Sequence, residues 1–207
     1  MVRVRVHQHV NPLSPFYCFT PPPLVIEKLF ADPNSPLHLD IGCARGRFLL
    51  KMAQIFPARN FLGVEIREPL VEEANCLAKE KNLANLHYEF NNATFSLDKL
   101  LENLPENKLQ TVTIQFPDPW FKKKHAKRRM VNAELVETIT RHLAVSGKIF
   151  VQTDIESLAT EMFALFREDQ TLLEIEIAEN PFPVKTERET AVEEKNLPVY
   201  QRLFEKF

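Results

Sequence analysis

The sequence predicts an α/β domain built on a mostly parallel, doubly wound sheet closed by an antiparallel strand pair. Three observations predict it. From Leu37 onward, short β-type runs alternate with longer stretches of helical period, the signature of repeated strand-helix units. Three of only four glycines fall at the first two runs, where a nucleotide-binding sheet needs tight turns. The carboxyl end breaks the pattern with a period-2 run, a loop rich in Pro and Glu, and one more strand, which adds an antiparallel pair to a parallel sheet.

The elements follow in chain order. Residues 1–36 read as an extended amino-terminal arm, because Pro12, Pro15 and Pro21 to Pro23 interrupt it and no periodicity is sustained. His7 and His9 stand in that arm without a third ligand nearby. Residues 37–207 read as a single domain. Strands are expected over 37–41, 60–66, 86–90, 109–116 and 147–153, the last opening at Gly147. Between them, Phe48, Leu49, Met52, Ile55 and Phe56 share one helical face, as do Leu70, Val71, Ala74, Leu77 and Ala78. A further helix near 155–168 presents Leu158, Met162, Leu165 and Phe166. Then Leu173, Ile175 and Ile177 alternate with Glu174 and Glu176, and 199–207 return as the closing strand with Val199, Leu203 and Phe207 on one side.

Composition excludes several classes. No apolar stretch approaches the ~20 residues that span a bilayer, and Arg3 and Arg5 among valines do not make a secretory signal. A cytoplasmic protein is expected, with no membrane partner. Cys18, Cys43 and Cys76 are odd in number and widely spaced, which supports neither a disulfide framework nor a zinc site; no metal is expected. Nothing separates a monomer from a homodimer.

Function is most legible between Phe116 and Arg129, which reads Phe-Pro-Asp-Pro-Trp-Phe-Lys-Lys-Lys-His-Ala-Lys-Arg-Arg. Pro119 pushes Asp118 out of the helical region, so its carboxylate is aimed before a ligand arrives. Trp120 is the only tryptophan, and six cations follow with no acid among them: Lys122, Lys123, Lys124, Lys127, Arg128 and Arg129. Taking those charges away lowers the formal net charge from −2 to −8. One cationic patch on an otherwise acidic chain orients its encounter with a polyanion. An aimed acid, a flat aromatic and cations together suit a nucleotide in nucleic acid.

Asp40, Glu65, Asn92, Asp118 and Asp154 stand at or just past the carboxyl ends of the five successive parallel strands. They should gather along one edge of the sheet, where open α/β sheets bind ligands. Gly42 and Gly46, in Leu39-Asp40-Ile41-Gly42-Cys43-Ala44-Arg45-Gly46, let the chain turn and a ligand approach. Glu65 is placed to accept from both hydroxyls of a ribose, and Asn92 to pair with an adenine edge by donating and accepting at once. Asp40 would repel a pyrophosphate and favour a cationic moiety. S-adenosyl-L-methionine carries all the required pieces: adenine, ribose, sulfonium and ammonium. Arg67 near Glu65 leaves a 2′-phosphate open.

The corner Phe116-Pro117-Asp118-Pro119-Trp120 with its basic tail resembles the defining motif of the bacterial tRNA (guanine-N7)-methyltransferases, the TrmB family. Gln152-Thr153-Asp154 and the Thr-x-x-Glu segment Thr186-Glu187-Arg188-Glu189 agree with it, and the match runs from about Leu37 to Tyr200. The resemblance implies a class I, Rossmann-like methyltransferase that moves the methyl group of S-adenosyl-L-methionine to N7 of a guanine in the variable loop of tRNA, conventionally position 46. It implies cofactor contacts at Asp40, Glu65, Asn92 and Asp118, and substrate contacts at Lys122, Asp154, Thr186, Glu187, Arg188 and Glu189. Lys123, Lys124, His125, Ala126, Lys127, Arg128 and Arg129 would touch RNA. Ala44 sits where the family usually has glycine, Asn92 where it has aspartate and Phe121 where proline is common.

Guanine N7 has an in-plane lone pair and no proton, so its methylation needs no general base. Positive charge grows on the purine as the bond forms, and a carboxylate near the base would stabilise it; Asp118 is the candidate catalytic residue. If all six cations met phosphates, log affinity would fall against log salt with a slope of about −4 to −5. Three rival readings remain to be weighed: a small-molecule methyltransferase, which leaves the cations idle; a nucleotide-binding oxidoreductase, which Ala44, the glycine spacing and Asp40 disfavour; and an RNA-binding protein without activity.

Overall fold

The computed structural model describes residues 10–207; Arg3, Arg5, His7 and His9 lie outside the described residues. Seven strands form one sheet: β1 (Leu37–Ile41), β2 (Asn60–Glu65), β3 (Leu86–Phe90), β4 (Leu109–Gln115), β5 (Leu143–Thr153), β6 (Leu172–Ile175) and β7 (Tyr200–Lys206). Their order is β3-β2-β1-β4-β5-β7-β6. The first five run parallel, and β7 pairs antiparallel with both β5 and β6. The order reverses direction at β1, and the crevice outside β1 and β4 is the switch point where such sheets bind ligands.

Helices α1 (Ile26–Leu29), α2 (Arg47–Ile55), α3 (Glu68–Glu80), α4 (Ala93–Leu101), α5 (Ala133–His142), α6 (Glu156–Glu168) and α7 (Glu187–Glu193) connect the strands. Two apolar cores result. Phe61 joins α2 and α3 in one, while its neighbour Leu62 joins α4, α5 and α6 in the other. Successive residues of a strand point to opposite faces, so the helices cover both sides of the sheet. Every residue of β1 and β2 is buried, as expected of strands covered on both faces.

Several expectations need correction. β5 begins at Leu143, not at Gly147, because the chain passes from α5 into the strand without a loop. Its register against β4 slips between the Leu109–Leu143 and Thr111–Lys148 pairs, and Ser146 adopts a positive φ of 61°. Gly147 therefore lies inside an irregular strand, where a Cβ would come within 2.7 Å of the Ala144 carbonyl oxygen. On α2, Ile55 is exposed rather than on the apolar face. On β6 the parity is shifted: Leu173 is 60% exposed, and Leu172 packs on the core instead. Glu174 is clamped by Arg167 of α6 at 2.6 Å and by Arg202 of β7 at 2.9 Å, which fixes that register. In β7 the buried pair is Leu203 and Phe204, the latter stacked on Phe166, while Phe207 is exposed.

Within 1–36, Pro15–Tyr17 form a single 3₁₀ turn and Ile26–Leu29 a short helix. Leu24, Ile26 and Phe30 are buried in the core beneath α4 and α5.

Candidate active site at the carboxyl edge of the sheet

The five strand-end side chains do converge. Asp40, Glu65, Asn92, Asp118 and Asp154 all line one cavity of about 710 Å³ together with Gly42, a volume suited to a nucleoside-sized ligand. Gly46, Lys122 and Glu189 do not line it.

The turn after β1 explains its glycines unevenly. Gly42 has φ +80°, and a Cβ there would meet Met130 at 2.9 Å. Gly46, at φ +68°, makes room for Tyr88 of β3: a Cβ would stand 2.4 Å from its ring, as would one on Gly63 at 2.3 Å. Tyr88 is fully buried and donates its hydroxyl to the Gly46 carbonyl at 2.5 Å. Gly46 thus serves packing, not ligand approach. Sequence reasoning missed Tyr88, although two glycines that yield space on neighbouring elements were the signal for a large side chain between them. Ala44 has a φ of 50°, a conformation that glycine adopts without strain. Ala44→Gly should relieve roughly 1–2 kcal/mol of left-handed strain against about 0.5–1 kcal/mol of added chain entropy. The expected result is a small rise in the urea midpoint, about 0.5–1 kcal/mol in stability.

Glu65, 3% exposed, is fully engaged. Its Oε1 accepts from the Arg67 backbone N–H at 3.0 Å and Nε at 2.8 Å, and its Oε2 from the Ala44 N–H at 2.9 Å and Arg67 Nη2 at 3.1 Å. Burial works against the Arg67 charge, but the hydrogen-bonded Glu65, with a smaller push from Asp118, raises its pKa. A guanidinium so committed to Glu65 is poorly placed for a 2′-phosphate.

Asp40 is 4% exposed and has no such partner. Its Oδ1 accepts from the Thr113 hydroxyl at 2.6 Å and Gln115 Nε2 at 3.3 Å. Burial pushes its pKa up to about 6; those two donors oppose the shift and the charge of Glu65 adds to it. Asn92 donates Nδ2 to the carbonyls of Pro12 at 2.9 Å and Tyr17 at 3.3 Å. The amino-terminal segment is thereby folded over the strand end, with Phe19 and Tyr17 packed on Phe90 and Val10 and Pro12 in the cavity wall. An aspartate would set a carboxylate against two carbonyl oxygens, so the asparagine is matched to this contact. Donation to the arm commits Nδ2, so Oδ1 is the atom of this side chain left to accept.

The acidic corner is strained at both ends: Phe116 has φ 51° and Trp120 φ 44°, a region that bulky side chains avoid and that marks functional sites. Asp118 is exposed at the cavity wall. Lys123–Arg128 form a 3₁₀ turn. Arg128 lies 5.0 Å above the Trp120 ring and His125 meets its edge at 5.6 Å. Arg129 donates Nε to the Pro119 carbonyl at 2.9 Å and pairs with Glu161 of α6. Arg128 and Arg129 therefore brace the corner, and the aromatic surface turned outward is Phe121, 71% exposed. Desolvation and the neighbouring cations lower the pKa of His125.

Thr186 and Glu189 form a capping box at the start of α7. Glu189 is fully buried and binds Gln152 Nε2 at 3.0 Å and Asn180 Nδ2 at 2.9 Å. The Thr-x-x-Glu spacing is thus that of a reciprocal helix cap, and Glu189 is buried behind the cavity rather than lining it. Thr186, Glu187 and Arg188 do line the cavity, with Arg188 paired to Asp154 and Glu187 to Arg47. Among the described residues no group of three or more His, Cys, Asp or Glu is placed to hold a metal, and no helix is long and apolar enough to cross a membrane.

Comparison with known proteins agrees with this geometry. A family model described as "Putative methyltransferase" matches residues 34–202. A tRNA (guanine-N(7)-)-methyltransferase of Trichormus variabilis is 54% identical over 98% of this chain and 96% of its own. Another, from Synechococcus elongatus, is 52% identical over 99% and 97%. Among solved structures, the antibiotic-resistance methyltransferase Kmr superposes with a TM-score of 0.58 over 88% of this chain and 90% of its own at 16% identity. That likeness establishes the class I methyltransferase fold.

Proposed function

We propose that this chain, which belongs to the tRNA (guanine-N(7)-)-methyltransferase family, transfers the methyl group of S-adenosyl-L-methionine to N7 of guanine 46 in the variable loop of tRNA, in the cytoplasm. One observation carries this reading: a single cavity joins the buried acids of β1 and β2 to the Asp118 corner, with the cationic turn beside it. A small-molecule enzyme has no use for that turn.

The donor set fits the cofactor. A buried carboxylate whose pKa is raised to about 6 gains most from a cation, and Asp40 would hold the ammonium. Glu65 would take the ribose hydroxyls, exchanging or sharing its bonds with Arg67, and Asn92 Oδ1 the adenine amino group. When bound, S-adenosyl-L-methionine supplies an electrophilic methyl group on a sulfonium. The chain's own work is to hold the guanine with N7 in line, to exclude water and to place charge. Positioning of this type contributes up to roughly 7–11 kcal/mol of barrier lowering. Asp118, accepting from the guanine N1–H and N2 amino group, sets a negative charge beside the ring that becomes positive. Asp154 and the α7 residues Thr186, Glu187 and Arg188 form the opposite wall, so the Arg188–Asp154 pair would open to admit the base.

Incubation of the protein with tRNA and S-adenosyl-L-methionine labelled in the methyl group, followed by mapping of the modified nucleotide, tests the reading. Label at N7 of the variable-loop guanine is expected. Label confined to small molecules, or none, overturns it.

RNA affinity should depend on salt less steeply than six cations imply. With Arg128 over Trp120 and Arg129 paired to Glu161, four exposed lysines remain: Lys122, Lys123, Lys124 and Lys127. At roughly 0.7–0.9 per neutralised phosphate, the slope of log affinity against log salt should lie near −2.8 to −3.6. Titrations between 50 and 200 mM salt, about a fourfold range over which such dependence is plain, would read it.

A further inference from the structure

From the buried base of α7 to the cavity wall, a file of hydrogen-bonded side chains crosses the sheet to β1, ending in Gln115 and Asp40, which line the cavity. Glu189 Oε2 accepts from Gln152 Nε2 at 3.0 Å; the same nitrogen donates to Gln115 Oε1 at 2.8 Å; Gln115 Nε2 donates to Asp40 Oδ1 at 3.3 Å. Gln152 and Glu189 are wholly buried.

Amide chemistry makes the file directional. Gln152 turns its NH₂ group to both an amide oxygen and a carboxylate, and its own Oε1 is buried without a hydrogen-bond partner. Rotating the amide would set that oxygen against two acceptors at once, so the unsatisfied atom is the cheaper arrangement. Gln115, whose oxygen is thereby engaged, must present its nitrogen to Asp40. The other donor is fixed likewise: the Thr113 hydroxyl hydrogen goes to Asp40, so Thr113 accepts from His38 Nε2 at 3.1 Å, and burial keeps His38 neutral with its pKa lowered to about 3. The other titratable groups facing Asp40 are Glu65 from β2, Cys43 from the glycine turn and Tyr88 from β3. None of them is a cation.

We propose that Gln152 is a positioning residue for the cofactor-binding acid: anchored by Glu189 at the cap of α7, it locks the Gln115 amide so that a hydrogen-bond donor always faces Asp40. The helix start that carries Thr186, Glu187 and Arg188 and the acid at the glycine turn are thus parts of one hydrogen-bonded unit. The inference rests on the reading of Asp40 as the residue that holds the cofactor's ammonium.

Losing one donor to a carboxylate should raise its pKa by about 0.4–1 unit. The test is a carboxyl-carbon NMR titration of Asp40 in the cofactor-free protein, paired with the affinity for S-adenosyl-L-methionine across pH. Gln152→Met should move the Asp40 midpoint upward by that amount. Cofactor affinity should fall about 1.4- to threefold at pH 6.5, where the added protonation matters, and match the wild type at pH 8.5. Glu189→Gln, which keeps an oxygen for Gln152, should stay near the wild-type midpoint, and Glu189→Leu should shift it. If Gln152→Met does not fold, Gln115→Met removes the donor from a half-buried position and must give at least the same shift. An unmoved midpoint, or an affinity loss equal at every pH, overturns the proposal. A wild-type Asp40 that titrates as described in a protein that binds no S-adenosyl-L-methionine overturns the cofactor reading and the proposed positioning role with it.

Discussion

Asp118→Asn should lower kcat for methyl transfer into tRNA by about 10²–10³-fold, the magnitude typical of removing one preorganised electrostatic group from a reacting centre. The substitution keeps the shape of the side chain and one acceptor oxygen, so the KM for tRNA should change by much less. A fall in kcat with little change in KM identifies an interaction made in the transition state rather than on binding. The physical cause is the redistribution of charge: positive charge leaves the sulfur and spreads over the purine, and a carboxylate beside the base is worth more to the product-like ring than to the neutral one.

The rival role for Asp118 is to fix the corner. Other residues already do that. Arg129 holds the Pro119 carbonyl, Arg128 covers Trp120, and the Phe116 N–H donates to the Gln152 carbonyl at 2.8 Å. Asp118 itself is exposed, and exposed polar substitutions of this type seldom move stability by more than about 0.5 kcal/mol. Unfolding curves for Asp118→Asn should therefore overlay those of the wild type. Methyl transfer at near wild-type rate with such curves would show that the carboxylate does nothing for the chemistry.

Strands β1 to β4 were legible to within a residue because their signal is local: short runs of β-type residues bounded by Gly, Pro or Asn, such as Pro36 and Gly42 around β1 and Asn85 and Asn91 around β3. The convergence of Asp40, Glu65, Asn92, Asp118 and Asp154 followed from topology alone, since parallel strands put all their carboxyl ends on one edge. What sequence could not supply was partnership. Arg129 looked like one more cation of the run until α6 brought Glu161 to it. Glu189 looked like a substrate residue only through the resemblance of the Thr-x-x-Glu segment, yet Gln152 of β5 and Asn180 of the loop before α7 supply its donors. The start of β5 was misplaced because Leu143 to Ser146 carry no turn before Gly147; the irregularity is one of backbone pairing. The amino-terminal segment has no periodicity, and its place on the site shows only in tertiary contacts: Asn92 with Pro12 and Tyr17, and Tyr17 and Phe19 on Phe90.

Asp40→Asn should make the cofactor-free protein more stable and the enzyme nearly useless. The folded pKa of Asp40, about 6, stands above its ordinary value of 3.8, so the folded state holds the proton more tightly than the unfolded chain does. A group shifted in this direction contributes its full stability below pH 3.8 and loses it as pH rises through 6; the loss amounts to about 3 kcal/mol. Asparagine resembles the protonated acid and keeps an oxygen for Thr113 and Gln115. Urea unfolding should therefore show the variant close to wild type at pH 4 and more stable by up to about 3 kcal/mol at pH 8. Affinity for S-adenosyl-L-methionine should fall about 10–150-fold at pH 8, the worth of a hydrogen bond to a charged group. The same burial that destabilises the empty site makes the ionised carboxylate a strong partner for an ammonium, because little water competes for it. Equal stability of the two proteins at pH 4 and pH 8 would mean that Asp40 ionises without cost, and the case for it as the acid that holds the cofactor's ammonium would fail on that measurement alone.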